Sequence, residues 1–140
     1  MRIRTMMLIL LTLGMGLVLS GCPCGEEAVT LTPLSGPFGY HFEGPYDLQG
    51  NLTKDNLEDA EWELNGKFVF PTGGYSAAQP EVTVAESYPE QVTIVLRVRE
   101  PLPGTPVTQM VMEVPVAAVI SASNEAVFSM KVVRICYGWL

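Results

Sequence analysis

Prolines and glycines divide this chain into short segments, and that division constrains its fold more than any other feature. All eleven prolines and ten of the thirteen glycines follow residue 21. The runs between them are rich in Val, Thr, Ile, Phe and Tyr, and none keeps a helical period of 3.6 residues. β-Branched and aromatic residues favour strands, whereas proline and glycine favour turns, so the pattern predicts an all-β fold.

Alternation of apolar and polar residues locates the individual strands. The clearest lies at 91–99, where Val92, Ile94, Leu96 and Val98 share one face. Other strands are predicted at 28–32, 40–43, 46–53, 60–64, 67–70, 81–85, 107–116 and 126–137, and the inward set of 107–116 is Thr108, Met110, Met112, Val114 and Val116. Two of these nine segments, 46–53 and 81–85, are candidates only, and a total of seven or eight short strands predicts an antiparallel immunoglobulin-like β-sandwich over 28–140, with a small barrel as the alternative.

Asn65-Gly66 is the strongest turn signal in the chain. Both residue types tolerate positive φ, and the pair separates two runs of apolar residues, so it predicts a hairpin. A two-residue loop suits the turn chemistry better, whereas a three-residue loop over 65–67 places Trp62, Leu64, Phe68 and Phe70 on one face. Residues 49–51 are compatible with either a strand or a turn.

The first 21 residues read as a secretory leader. Arg2 and Arg4 precede an apolar stretch from Met6 to Leu19, which is too short to cross a bilayer as a helix. Leu19-Ser20-Gly21-Cys22 then resembles the lipobox of bacterial lipoproteins. The resemblance implies cleavage before Cys22, a diacylglycerol on its thiol and a fatty acid such as palmitate on its new amino group. Several acyl chains make such an anchor effectively permanent.

This resemblance divides the chain into a leader at 1–21, an anchored linker at 22–27 and the sandwich at 28–140. Residue 23 is proline and not the aspartate that retains many lipoproteins in the inner membrane. The expected location is therefore the cell envelope, with the outer membrane or cell surface favoured.

Loss of the leader and lipidation of Cys22 change the net charge and the number of cysteines that can pair. Six basic residues remain against fifteen acidic ones, a formal charge of −9, which argues against a nucleic-acid partner. With Cys22 lipidated, Cys24 and Cys136 remain as an even pair. They are candidates for a disulfide in an oxidising compartment, with two free thiols or a bond to another protein as the alternatives.

The middle of the chain resembles a PKD-type domain, an immunoglobulin-like sandwich of secreted bacterial proteins. The resemblance rests on Trp62 to Lys67, at the place of that family's Trp-Asp-Phe-Gly-Asp-Gly turn, and on Tyr88 to Val98, at the place of its later strand. It covers roughly 29–116, lacks the aspartates of the turn and stops short of 117–140. It implies a spacer or binding module and no catalyst.

Catalytic constellations are scarce. His41 is the only histidine and no Gly-x-Ser-x-Gly motif occurs, so we expect no hydrolase and no conventional zinc site. Six acids lie within seventeen residues: Asp47, Asp55, Glu58, Asp59, Glu61 and Glu63. A solvated loop is the ordinary interpretation, and a calcium site built on Asp55, Glu58 and Asp59 is the alternative.

The aromatic residues between 40 and 75 are expected to pack in the core. An exposed subset, with Tyr40, Tyr46 and Tyr75 the strongest candidates, would instead offer a face on which sugars stack. The sequence therefore predicts a lipid-anchored, non-catalytic β-sandwich that binds another envelope protein or serves in an assembly. A calcium- or carbohydrate-binding surface module is the alternative.

Overall fold

The computed structural model describes residues 25–35, 39–54 and 60–135, and in this part of the chain it contains ten strands and no helix. The strands are β1 (Gly25–Ala28), β2 (Thr30–Pro33), β3 (Gly39–Gly44), β4 (Leu48–Thr53), β5 (Glu61–Phe70), β6 (Ser76–Ala77), β7 (Glu81–Ala85), β8 (Gln91–Arg99), β9 (Met112–Ser121) and β10 (Val127–Ile135). They form two sheets packed as a sandwich, which confirms the all-β prediction.

The first sheet, sheet A, has β1, β10 and β8 side by side, and β6 and β7 share the remaining edge of β8. Sheet B has the order β2-β3-β4-β5-β9. The prediction of a wholly antiparallel sandwich is wrong for one pair, because β8 and β10 run parallel from Val127 opposite Gln91 to Ile135 opposite Arg99. The chain crosses to sheet B for β9 and then returns, and two reversals give β10 the direction of β8.

Burial follows the alternation read from the sequence. Val92, Ile94, Leu96 and Val98 are all buried, as the pattern at 91–99 predicts. The same period places Phe128, Met130 and Val132 of β10 in the core. The largest fully buried side chains on sheet B are Phe42, Leu48, Leu52, Trp62, Leu64, Phe68, Phe70 and Ile120. The core is therefore the apolar layer that the two sheets enclose.

The hairpin predicted at Asn65-Gly66 is wrong, because β5 runs unbroken from Glu61 to Phe70 through both residues. Gly66 lies opposite Gly50, and a Cβ on Gly66 would come within 2.6 Å of both the Phe42 ring and the Gln49 carbonyl oxygen. The two glycines are used for close approach of a ring to the backbone and not for a turn. The alternation continues across Gly66, so β5 carries on one face, without a loop, the four large residues Trp62, Leu64, Phe68 and Phe70.

The turn of this region lies instead at 45–47. Tyr46 and Asp47 both adopt left-handed backbone angles, with φ of 61° and 51°, and the Leu48 amide donates to the Pro45 carbonyl at 3.2 Å. Two consecutive left-handed residues are the signature of a tight hairpin turn. Residues 49–51 belong to β4, so they form a strand and not the turn that the sequence also allowed.

Two strand boundaries also differ from the prediction. The strand expected at 107–116 begins at Met112 and continues to Ser121, so Val114 and Val116 face the core, whereas Thr108, Met110 and Met112 are exposed. The strand expected at 28–32 is two strands, one in each sheet. They join at buried Val29, and β1 begins at Gly25 within the segment predicted to be a linker.

The strand order defines two ends of the sandwich, which differ in their loops. The proximal end holds Gly25, the 45–47 turn and the loops at 71–75 and 100–111. The distal end holds Lys54, Ala60 and the turns at 86–90 and 122–126. The proximal end is where β1 and β9 begin and where the β3–β4 turn lies. The distal end is where β5, β8 and β10 begin. The described residues contain no helix that could span a bilayer.

We predict that Gly66→Ala destabilises the fold by about 1–3 kcal/mol, the usual cost of overpacking a core. The methyl group would meet the Phe42 ring and the carbonyl of Gln49. Chemical denaturation of the wild type, Gly66→Ala, Phe42→Leu and the double variant measures the coupling. A smaller cost of Gly66→Ala in the Phe42→Leu background is expected, and equal costs would contradict the contact.

Candidate functional site

The most prominent unpaired feature of the described residues is the free edge of β9. Its ten residues pair with β5 from Met112 opposite Phe70 to Ser121 opposite Glu61, and no described strand pairs with its other side. The equivalent edge of sheet A is covered, because β6 and β7 line β8. An unpaired edge of this length presents a row of backbone donors and acceptors to any extended chain.

One hydrogen bond shows which groups point outward. The Ala122 amide donates to the Ala60 carbonyl at 3.0 Å, which continues the β5–β9 ladder by one position. In an antiparallel pair, alternate residues direct both backbone groups to the same neighbour. The even-numbered residues of β9 therefore face β5, and Glu113, Ala117, Val119 and Ser121 direct their amides and carbonyls to the free edge.

Pro115 occupies the remaining outward position. It lies opposite Lys67, and because proline lacks an N–H, its nitrogen is tolerated only where no ladder bond is needed. Proline inside an alternating apolar run is a sign of an edge strand, and that signal was present in the sequence. It also restricts pairing, because the edge offers donors at 117, 119 and 121 but none at 115.

The outer face beside this edge is a shallow groove with a volume of about 310 Å³. Ala117 and Val119 form its apolar side, and Glu63 and Asn65 of β5 form its polar side. Val119 is 64% exposed, although it lies in a strand. The small Ala117 side chain lets a long side chain from an added strand pass over β9 and reach the carboxylate of Glu63.

The charges along this face are uneven. At the start of β9, Lys67 and Glu113 form an ion pair with an Nζ–Oε1 distance of 2.9 Å. Farther along, Glu61 and Glu63 are exposed, and neither forms an ion pair within the described part of the chain. The free edge therefore combines backbone hydrogen-bonding groups, one exposed valine and an uncompensated pair of carboxylates.

A second concavity, of about 200 Å³, lies at the proximal end between Gly25, Tyr46, Glu100 and Arg134. The Tyr46 hydroxyl donates to Glu100 Oε1 at 2.5 Å, and Arg134 Nη1 lies 3.5 Å from the same oxygen. Burial, together with the bond to the Glu100 carboxylate, raises the pKa of Tyr46 well above its ordinary value. Tyr46, Glu100 and Arg134 therefore satisfy one another, and the exposed Glu27 also lines the concavity.

His41 lies on the outer face of sheet B, in β3. Its Nδ1 lies 3.2 Å from Asn51 Oδ1, and its Nε2 lies 3.2 Å from Glu43 Oε1. The hydrogen bond to Asn51 and then that to Glu43 raise its pKa above 6.5, because only the imidazolium donates from both nitrogens. No hydroxyl or thiol is among these partners, so the arrangement contains no activated nucleophile.

The distal end is held together around Lys54, the one buried charged side chain of the described residues. Its Nζ donates to Asn124 and lies 5.2 Å from the centroid of the Trp62 ring, a cation–π geometry. The Trp62 indole N–H donates to the Ser123 carbonyl at 3.2 Å. The Ser123 amide in turn donates to Glu90 and lowers the pKa of that carboxyl. These contacts join the distal loops to the core.

The aromatic residues form no sugar-stacking face within the described structure. Tyr40, Tyr46 and Tyr75 were the candidates for exposure, but all three are partly buried and pack against the core. Tyr75 stacks on Phe70 with ring centroids 4.7 Å apart, and Tyr46 meets the Phe70 ring edge-on. The strongly exposed aromatic among the described residues is Tyr88, at 89%. Carbohydrate binding by this chain stays a prediction.

The remaining predicted site residues lie outside the described residues. They are Cys22, Cys24, Cys136, Asp55, Glu58 and Asp59. Within the described ranges no three His, Cys, Asp or Glu side chains gather as metal ligands. Lipidation, the disulfide and the calcium site therefore stay predictions.

Comparison of the chain with protein-family models, curated proteins and solved structures found no match. The PKD-type resemblance stays a prediction, and the Trp62–Lys67 segment on which it partly rests lies within β5 and forms no turn.

We predict that His41 titrates above 6.5 and that Asn51→Ala lowers this pKa, because the amide oxygen favours the protonated ring. A raised pKa means that the protonated ring contributes stability at acidic pH, which is lost as the pH rises through the folded-state value. His41 is the only histidine, so its ring protons can be followed by NMR without ambiguity. An unchanged value in Asn51→Ala would contradict this assignment, and Gln49→Ala is a control on β4 outside the hydrogen bond.

We also predict that the processed protein contains a Cys24–Cys136 disulfide. Gly25 and Arg134 are register partners, so the described chain enters and leaves through neighbouring strands. A bond closing more than a hundred residues is worth up to about 4.7 kcal/mol in the chain-entropy model. Intact mass and thiol labelling under non-reducing conditions test it. Two free thiols, or stability unaffected by reductant and by Cys136→Ser, would contradict it.

Proposed function

We propose that this chain is a lipid-anchored lipoprotein of the cell envelope whose non-catalytic β-sandwich binds another envelope protein. The observation that carries the proposal is the free edge of β9, ten residues long and beside a groove with apolar and acidic sides. Soluble proteins normally cover or shorten such edges, because an unpaired edge recruits other strands. An edge that is both long and exposed is therefore best explained as a binding surface.

The partner that fits this edge is an extended segment that adds a sixth strand to sheet B. Its backbone would bond to the outward amides and carbonyls of Ala117, Val119 and Ser121, and the missing N–H of Pro115 sets the limit of pairing. An apolar residue would cover Val119. A lysine or arginine would lie across Ala117 toward Glu63, an orientation favoured by the acidic charge of the chain.

A non-catalytic role agrees with the polar groups of the described surface. Tyr46, Glu100 and Arg134 bind one another, and His41 is held by Asn51 and Glu43. General acid–base catalysis needs a titratable group within reach of both a substrate and a partner that tunes its pKa. Neither of these two clusters adds a nucleophile to its tuned group.

The proposal is tested by Val119→Lys, which places a charge on the exposed edge beside the positions that a basic partner would occupy. Photo-crosslinking in the native envelope, from a probe at position 121, would identify the partner segment. A synthetic peptide of that segment would then be titrated against the purified sandwich. We expect Val119→Lys to weaken binding at least about tenfold, because lysine on an edge blocks strand addition.

The matched control is Val127→Lys, the same exchange at an exposed valine of β10 in sheet A. It should leave the affinity unchanged, and both variants should unfold within about 0.5 kcal/mol of the wild type, as surface substitutions do. Equal affinities for wild type and Val119→Lys, or crosslinks to a folded surface in place of an extended segment, would refute the edge as the binding site.

A further inference from the structure

We infer that the proximal end of the sandwich lies against the bilayer and that the loop at 101–111 inserts its apolar side chains into the interface. The inference rests on the lipid anchor of the proposed function and goes beyond it, because an anchor alone fixes no orientation. It concerns loops at one end of the sandwich and leaves the β9 edge, with its protein partner, at the side.

Two stretches at the proximal end carry no charge, although Asp47 of the 45–47 turn and Glu100 at the start of the 100–111 loop lie at the same end. Residues 71–80 and 101–112 together hold 22 positions without a single Asp, Glu, Lys or Arg, in a chain with 23 such residues. Charged groups are strongly disfavoured in the acyl region of a bilayer, whereas polar uncharged and apolar groups are tolerated at its boundary. Two long uncharged loops at the same end therefore suit contact with lipid.

The loop also exposes large apolar side chains that the core does not use. Leu102 is 56% exposed, Met110 65% and Val111 64%. All three lie within ten residues, and neighbouring Val107 is half-buried. Contiguous exposed apolar groups on a soluble domain mark sites that bind protein or membrane. Leucine, methionine and valine are the types that insert at the boundary between headgroups and acyl chains.

The geometry places this loop at the end from which the anchor would emerge. Met112, directly after the loop, pairs with Phe70 at the proximal end of β5, and the Gly73 amide donates to the Thr108 carbonyl at 2.9 Å. Gly25 lies at the same end, opposite Arg134 in β10. Three peptide units separate Gly25 from Cys22, which limits their separation to about 11 Å. A lipid on Cys22 therefore holds the proximal end close to the headgroups.

Acids occur at both ends of the sandwich. Glu86, Glu90 and Glu125 lie in the turns of the distal end, farthest from Gly25. At the proximal end, Asp47 lies in the 45–47 turn, and Glu100 at the start of the loop accepts from the Tyr46 hydroxyl and lies 3.5 Å from Arg134. The contact with lipid is therefore made by the uncharged stretch at 101–111 and not by every loop of this end.

The test uses the full, lipidated chain in phosphatidylcholine vesicles with or without lipids brominated on the acyl chain. Bromine quenches a nearby tryptophan. The probe is Val111→Trp in the loop, and the matched control is Val119→Trp in β9, because these two valines are equally exposed at 64%. We expect the bromine-dependent loss of fluorescence to exceed the wild-type background by about twofold for Val111→Trp, the effect of insertion by 5–10 Å. Val119→Trp should match the background.

A second variant guards against a local effect of the probe. Leu102→Ser with Met110→Ser, added to Val111→Trp, should return the quenching to background while the protein still floats with the vesicles. Equal quenching at positions 111 and 119, or quenching unaffected by the two serines, overturns the inference. The anchor is tested separately, because Cys22→Ala must abolish flotation. Flotation that survives this change refutes the lipid anchor and says nothing in favour of the loop.

Discussion

The packing of Phe42 over Gly50 and Gly66 is the contact on which the architecture of sheet B depends. The ring needs two adjacent positions without a Cβ, one on β4 and one on β5, and the register places these two glycines opposite each other. Because Gly66 serves this purpose, β5 continues through Asn65-Gly66 as one strand of ten residues. A hairpin at that point would have halved β5 and removed the surface to which β9 is bound.

The length of β5 then determines the length of the free edge that we propose as the binding surface. β9 pairs with it over ten positions, lies last in the sheet and so leaves an edge of equal length open. The two sheets are not equivalent in this respect. In sheet A, β8 is covered by the short strands β6 and β7, whereas in sheet B no described strand covers β9. β9 is therefore the longest edge strand among the described residues, and this makes it the edge that the proposed partner would join.

The two ends of the sandwich differ in their contacts and in their charged residues. The distal end is fixed by the stacking of Lys54 on Trp62 and by hydrogen bonds through Ser123 and Glu90, with its acids directed to solvent. The proximal end is where β1 begins, and it carries the uncharged stretches at 71–80 and 101–112 beside Asp47 and Glu100. With lipid on Cys22, β9 would stand beside the membrane with its start near the headgroups and its last residues farther out. In the proposed arrangement the edge would then be within reach of an envelope protein.

The sequence by itself determined the all-β class, the alternation of β8 and most strand positions, because the alternation of apolar residues is a local consequence of the pleat. It also contained the segment that resembles a lipobox and the uncharged stretches at 71–80 and 101–112. The path of the chain at Asn65-Gly66, the parallel pairing of β8 with β10 and the division of β1 from β2 at Val29 were decided only by tertiary structure. Each depends on what lies opposite: a phenyl ring, a strand from a distant part of the chain, or the second sheet. The local secondary-structure propensity of a segment carries no information about those partners. The open edge of β9 was decided in the same way, since Pro115 permits an edge but only the completed sheet order leaves that edge free.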